Sequence, residues 1–318
     1  MDIKTRFLIL SDTHAEKGLT APNLPVDVAI HCGDFTNESK LHEFRTTLDL
    51  LRTINAPLKI VIAGNHDFTL DTPMFAKKRA QAEAEYGDFG DARQLFEDAR
   101  SDGVVFLDQG AHRFNLDNGA RLAVYASPFT PSADADWGFQ FKRGEHHDFA
   151  IDNDVDIVIT HGPPPKGFLD LTASNQRGGC QHLFAAVAKA RLRLHCFGHI
   201  YEGWGAKLMA WHDTPSEFSS HFSDINHGES ALVDTLAALR PRKWDTAQDI
   251  AEKESRLTAL RAAGYRATDH CSGSEFPVVP GRTTLFANAA IESTEEDQAQ
   301  LPWVIDLELP AAIHSGCE

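Results

Sequence analysis

Ile60-Val-Ile-Ala-Gly-Asn-His-Asp67 is the stretch whose reading decides the fold. A β-branched run climbs without a polar interruption to Ala63, Gly64 breaks it, and three polar residues follow at once. A short apolar run of this kind reads as a parallel strand buried on both faces, ending in a functional loop. Four more runs end in the same way. Phe7-Leu-Ile-Leu-Ser-Asp-Thr-His14 delivers Asp12 and His14, and Val28-Ala-Ile-His-Cys-Gly-Asp34 delivers Asp34. Val155-Asp-Ile-Val-Ile-Thr-His161 delivers His161, and Leu192-Arg-Leu-His-Cys-Phe-Gly-His199 delivers His199. In an open α/β sheet the C-terminal strand ends are where ligands bind. The five ends are therefore expected to meet and to hold a metal centre.

Outward from these strands the chain alternates. Residues 38–53 place Leu41, Phe44, Leu48 and Leu51 at helical spacing, with Asn37 as the expected cap. The resulting β-α-β order favours parallel strands with a right-handed crossover. Residues 74–101, charged and rich in alanine, read as one or two helices broken near Gly87 and Gly90. Short strands follow from Val104, with Asp117-Asn118-Gly119 as a hairpin signal, so antiparallel pairs are expected in the second half. A helix is expected around 144–151, another at 179–190, and closing strands at 283–288 and 303–307. Residues 213–283 read as an inserted, mainly helical segment of a single 1–318 domain. Its two helices are expected at Gly228–Leu239 and Asp245–Ala263, the second with Asp245 and Gln248 as a capping box.

Composition narrows the function. The 318 residues include 42% hydrophobic ones, enough for a sizeable core, and carry a formal net charge of −16. An extended nucleic-acid footprint needs a basic stripe, so a small anionic substrate drawn by bound cations fits better. Five scattered cysteines without a CxxC indicate neither a zinc knuckle nor a disulfide framework. No secretory h-region opens the chain and no apolar run approaches about 20 residues, so no membrane span is expected, and a cytoplasmic location is.

The chemistry follows from the donors. Asp12 and His14, two apart, point the same way from a strand end and can chelate one cation. The two oxygens of Asp34 can bridge a pair of cations. Asn65 adds an amide oxygen, and His161 and His199 add imidazoles. Mixed oxygen and nitrogen donors suit Mn²⁺, Fe²⁺/Fe³⁺ or Zn²⁺ better than Ca²⁺. Two cations about 3.5–4 Å apart clamp a phosphoryl group and generate a bound hydroxide. His66 is then free to protonate the leaving oxygen, and Asp67 to orient that imidazole.

Asp-x-His, Gly-Asp, Gly-Asn-His-Asp, Thr-His-Gly and Gly-His, in this order, resemble the calcineurin-like metallophosphoesterase superfamily. Thr160-His-Gly-Pro-Pro164, Gly178-Gly-Cys180 and Gly198-His-Ile-Tyr-Glu-Gly203 resemble its metallophosphoesterase-domain-containing group, whose described members are phosphodiesterases. The resemblance covers about 5–211 and 283–309. It implies a four-layer α/β/β/α sandwich with two central mixed β-sheets and a two-metal hydrolase. It places Asp12, His14 and Asp34 at the first metal and Asp34, Asn65, His161 and His199 at the second, with His66 catalytic. One departure stands out: where the family pattern has the last His of Gly-His-x-His, this chain has Tyr201. The first site is then weakened, ferric through a phenolate, or completed from elsewhere, the nearest sources being His212 and the insertion's His221, His227 and His270.

Arg177 and Cys180 could approach a substrate phosphate, although packing and a helix start explain them as well. The insertion reads as a lid or a homodimer arm. Two other functions stay open: a pseudoenzyme binding a nucleotide or partner, and a hydrolase re-aimed at an amide or ester.

Overall fold

Strand β1 (Asp2–Leu10) shows by its alternation how the layers are built. Phe7 and Ile9 enter one buried apolar cluster while Leu8 and Leu10 enter another on the opposite face. A strand apolar on both sides must be covered on both sides. The chain is seen here as a computed structural model that describes residues 2–79, 86–165, 167, 169–292 and 300–312.

The first half runs β2 (Val28–His31), α1 (Leu41–Thr53), β3 (Leu58–Val61), α2 (Thr72–Arg79), α3 (Asp91–Asp98) and β4 (Val104–Phe106). It continues with the hairpin β5 (Gly110–Asn115) and β6 (Arg121–Ser127), then a small ribbon of β7 (Thr130–Ser132) and β8 (Gln140–Lys142). Next come β9 (Ile157–Thr160), α4 (Gln181–Ala190), β10 (Leu194–Phe197) and β11 (Gly205–Trp211). The rest is β12 (Ile225–Thr235), the single turn α5 (Leu236–Leu239), α6 (Ala247–Ala263), β13 (Arg266–Asp269), β14 (Thr283–Asn288) and β15 (Trp303–Pro310).

These strands make two mixed sheets, ordered β13-β15-β1-β2-β3-β4 and β12-β11-β14-β10-β9-β6-β5. β1, β2, β3 and β4 are parallel neighbours, and β15 lies antiparallel to β1 with Ile9 opposite Trp303. The second sheet keeps β6, β9, β10 and β14 parallel, with antiparallel pairs at β5–β6 and β11–β14. Between the sheets Phe7, Ile30 and Ile60 meet Val124, Ile159 and Leu285. Outside the first sheet Phe44 and Leu48 of α1 and Phe96 of α3 cover Leu8 and Val61. Outside the second, Leu183, Phe184 and Val187 of α4 cover Val158 and Phe286. The expected four layers are all present, and both parallel stacks aim their C-terminal ends at one rim.

Several local expectations need correction. Residues 144–151 form no helix; His147 stacks on Phe141 and Phe129 and bonds Gln109, which pins the segment as a loop. Glu43, not Asn37, caps α1: its carboxylate accepts from the backbone N–H groups of Asn37, Glu38 and Lys40. Gly228–Leu239 is mostly strand. β12 pairs with β11 at the edge of the second sheet, and only Leu236–Leu239 turns helical. The second helix is real, but Thr246 with Asp249 forms its capping box. The insertion thus adds β12 to one sheet and β13 to the other rather than forming a separate helical arm. Its ends meet as expected, the Trp211 N–H donating to Arg282 O at 2.9 Å. Cys32, Cys180, Cys196 and Cys271 are buried free thiols, and Cys317 lies outside the described residues.

Candidate metal centre

Each expected ligand sits where its strand runs out. Asp34 follows β2, is 1% exposed, and belongs to both groups of side chains that could hold a cation: His14, Asp34 and His66, and Asp34, His161 and His199. Its Oδ1 accepts from the His66 N–H at 2.8 Å. Its Oδ2 is buried and makes no hydrogen bond, although it lies 3.2 Å from His161 Nε2 and 3.8 Å from His14 Nε2. A buried carboxylate oxygen without a donor costs free energy unless a cation meets it.

The imidazoles are set to provide that cation with lone pairs. A carbonyl only accepts, so a ring nitrogen bonded to one must carry the proton. His161 Nδ1 lies 2.9 Å from Cys32 O, His14 Nδ1 2.9 Å from Thr36 O, and His66 Nδ1 2.7 Å from Asn37 O. In each neutral ring Nε2 is left bare. His161 Nε2 faces Asn65 Oδ1 at 3.0 Å as well as Asp34 Oδ2, so either a proton or a cation must lie among the three. His199 packs edge-on to His161, with ring centroids 5.0 Å apart. Backbone carbonyls that orient ligating imidazoles are the usual outer support of a metal site.

Asp12 is close but outside both groups. Its two oxygens accept from the His199 N–H at 3.1 and 3.0 Å, which fastens the β1 end to the β10 end. Burial and the nearby Asp34 carboxylate push the Asp12 carboxyl up, to about 6. Burial alone would lower His14 and His161, yet Glu292 and Asp34 beside the first and Asp34 beside the second raise them to about 10 and 9. His199, buried near His161, falls to about 3. The donor set thus fits a divalent cation pair shared through Asp34, with nitrogen and oxygen donors of the type expected.

The other expected site residues fare differently. Asp67 is fully buried and does not touch the His66 ring. Its carboxylate accepts from the N–H groups of Gly64, Phe35 and Thr36 and from the Thr36 hydroxyl. It locks the loop after β3 to the loop after β2, while Asn37 O orients His66. Arg177 is paired with Asp170 at 3.0 Å and joins no ligand group. His212 is exposed at the end of β11, His227 bonds His221 O, and His270 is buried against Phe276 O and Thr268. None of these histidines joins a described ligand group. Tyr201 does approach, its hydroxyl 3.5 Å from His14 Nε2. Burial, Asp12 and Glu292 push its phenol well above the ordinary range, which keeps it neutral.

Two residues near the rim were not anticipated. Asn288, ending β14, donates to Ile200 O at 2.8 Å and fixes the loop after His199. It is a polar residue at the end of an apolar strand, the same signal that marked the ligands. Trp137 lies against His66 with ring centroids 4.4 Å apart, placed by the Gly138 N–H bond to Asn65 O.

The sequence model of the family described as calcineurin-like phosphoesterase matches residues 5–203. The chain belongs to the calcineurin-like phosphoesterase family. Within that family it is 36% identical over 209 residues to metallophosphoesterase domain-containing protein 1 of Homo sapiens, 63% of this chain and 62% of that protein. It is 33% identical over 214 residues to a probable rhamnogalacturonate lyase C of Emericella nidulans, 66% of this chain but 18% of that protein. Among solved structures, a purple acid phosphatase of yellow lupin seeds is similar over 67% of this chain and 40% of its own, at 11% identity and a TM-score of 0.35. No described helix is long and apolar enough to cross a membrane.

Proposed function

We propose that this protein is a metal-dependent phosphoester hydrolase of the phosphodiesterase type, acting on a small phosphate ester at a dinuclear centre. Family membership supports the reaction class, and one observation carries the site: Asp34 Oδ2, buried without a hydrogen bond, lies between His161 Nε2 and His14 Nε2. Asp12, His14 and Asp34 would hold one cation; Asp34, Asn65, His161 and His199 would hold the other. When bound, the pair supplies Lewis acidity toward a phosphoryl oxygen and acidifies a water.

The chain's own residues do the rest. His66 keeps Nδ1–H on Asn37 O, so any proton it exchanges passes through Nε2. That ring borders the His14 ligand, with centroids 4.8 Å apart, so its proton can reach the leaving oxygen. Beyond Trp137 an open cleft of about 380 Å³ is lined by Phe68, Tyr86, Lys77, Lys78, Glu38 and Asp136. The Lys78 ammonium lies 4.6 Å from the centres of both the Phe68 and Trp137 rings. Lys77 is paired with Asp136 at 3.2 Å, so the aromatic faces and the Lys78 ammonium are what suit an organic group on an anionic ester, which favours a diester. A net charge of −16 argues against a nucleic-acid strand, since only local cations would attract one.

The test combines metal content with a panel of phosphomonoesters, phosphodiesters, esters and amides. Asp34→Ala should lose both metals and nearly all turnover. Retention of metal and turnover in that variant would sink the shared-ligand reading. Selective turnover of amides or carboxylic esters would instead assign the fold to a re-aimed hydrolase.

A further inference from the structure

The segment after β14 brings one more carboxylate to the His14 side of the centre. Ala290 bridges Ser11 in parallel register, and the Ile291 N–H donates to Ser11 O at 2.9 Å. The chain therefore reaches residue 292 beside Asp12. Buried Gln300 clamps this position, its amide donating to Glu292 O at 2.9 Å and to Tyr201 O at 3.0 Å. So fixed, Glu292 places Oε2 3.1 Å from His14 Nε2.

Three facts distinguish this from a surface ion pair. His14 Nδ1 bonds Thr36 O, so Nε2 is the atom turned to Glu292, and it offers a lone pair once a cation takes the place of its proton. Glu292 Oε2 is itself buried and makes no hydrogen bond despite that short distance. Asp34 Oδ2, also buried without a hydrogen bond, lies 3.8 Å from the same nitrogen. Two orphaned carboxylate oxygens thus approach one imidazole nitrogen; Glu292 stands outside the two groups whose donors already lie close together, and a cation at His14 would draw it in. Tyr201 bonds the Glu292 carboxylate through its hydroxyl and stands 3.5 Å from the nitrogen.

We propose that Glu292 is a ligand of the cation site at His14, binding through Oε2 beside Asp34, with Tyr201 as the positioning residue that holds its carboxylate. The proposal rests on the metal-centre reading above. It makes the first site more anionic than a histidine in position 201 would, and it favours a hard, oxygen-preferring divalent ion such as Mn²⁺ there.

Manganese(II) titration of the full-length, metal-stripped protein, read by calorimetry and by electron paramagnetic resonance, tests it. Wild type should take two equivalents and give the signal of a coupled pair. Glu292→Gln should keep one tight equivalent and weaken the other by more than the roughly 10–100-fold that follows loss of an indirect partner. Its spectrum should become that of an isolated ion. Glu292→His, which restores a donor at a half-exposed position, should recover the second equivalent and guards against a folding defect. Tyr201→Phe should keep two equivalents, the first weakened by less than in Glu292→Gln. Two equivalents in Glu292→Gln with wild-type affinity would overturn the Glu292 assignment and leave the centre standing. No manganese binding by the wild type would overturn the centre itself.

Discussion

Gly198 has an ordinary backbone conformation, so its requirement for glycine is one of space. A Cβ there would fall 2.1 Å from Asp12 Oδ2 and 2.1 Å from Ser11 Oγ. Gly64 is similar, its Cβ falling 2.2 Å from Asp34 Oδ1. Gly198→Ala should therefore displace the Asp12 carboxylate from the His199 N–H, lower metal content without altering any ligand, and cost about 1–3 kcal/mol, the usual range for overpacking. Elemental analysis and a urea midpoint read both effects, and unchanged values would show that the loop has slack. The ligands were legible as single polar residues ending apolar runs. Their backbone was not. Asp12, His14, Asp34 and His199 all have positive φ, between 45° and 69°, and none announces it by being a glycine. Glu292 was illegible because it opens the polar run Glu292-Ser-Thr-Glu-Glu-Asp297, which reads as solvated chain. Asp67 was placed in the right loop, but its direction depends on N–H groups from residues 35 and 36, 32 and 31 positions earlier.

β12 shows why the insertion resisted reading. Ala231, Leu232, Val233 and Leu236 mimic a helical stripe, but an edge strand on a half-exposed face needs no strict alternation. The strand was decided by an available partner, β11, and not by local propensity. β13 likewise exists because β15 offers an edge. Buried Asp234 at the end of β12 then takes Arg256 from α6 and Arg266 from β13, joining the added elements. Replacing 214–282 with a short turn should therefore expose the edges of β11 and β15 and promote association. Replacing only 246–264 removes a helix with no buried residue, leaves both edge strands in place, and leaves Asp234 paired with Arg266 after Arg256 is lost. The second variant should keep the parent's oligomeric state and a near-parental urea midpoint, whereas the first should aggregate or unfold at lower urea, as read by size exclusion and urea titration. A 214–282 deletion with the parent's oligomeric state and stability would show that the strands are dispensable and would return the lid reading to favour.

Across the whole molecule the four layers were implied by the family resemblance, and strands apolar on both faces agree with it, since each demands cover on both sides. The sequence could not signal how the interior holds imidazoles away from the metal rim. His195 in β10 is fully buried: Thr160 spends its hydroxyl proton on Gly162 O, so His195 donates Nε2–H to Thr160 Oγ1, and its Nδ1 has no partner. Burial lowers its pKa to about 3. His31 repeats the pattern, accepting from the Gly33 N–H at Nδ1 and donating to Thr13, and is also lowered to about 3 by burial. For a histidine depressed on folding, the folded state stays neutral while the unfolded chain takes up a proton below about 6.5. The stability it contributes is thus complete above that pH and is lost as the pH falls toward 3. Other buried groups titrate in the same range, so the difference between two proteins isolates the effect better than one curve. His195→Gln keeps an N–H for Thr160 and removes the titration. Relative to wild type it should be least stable at pH 7, and the gap should close by about 1.4 kcal/mol per pH unit between roughly pH 6 and 4, the slope for one proton. Urea unfolding of both metal-stripped proteins at pH 7, 6, 5 and 4 measures the gap. Parallel curves would mean that His195 keeps an ordinary pKa in the folded protein, because only a shifted group makes the two lines converge.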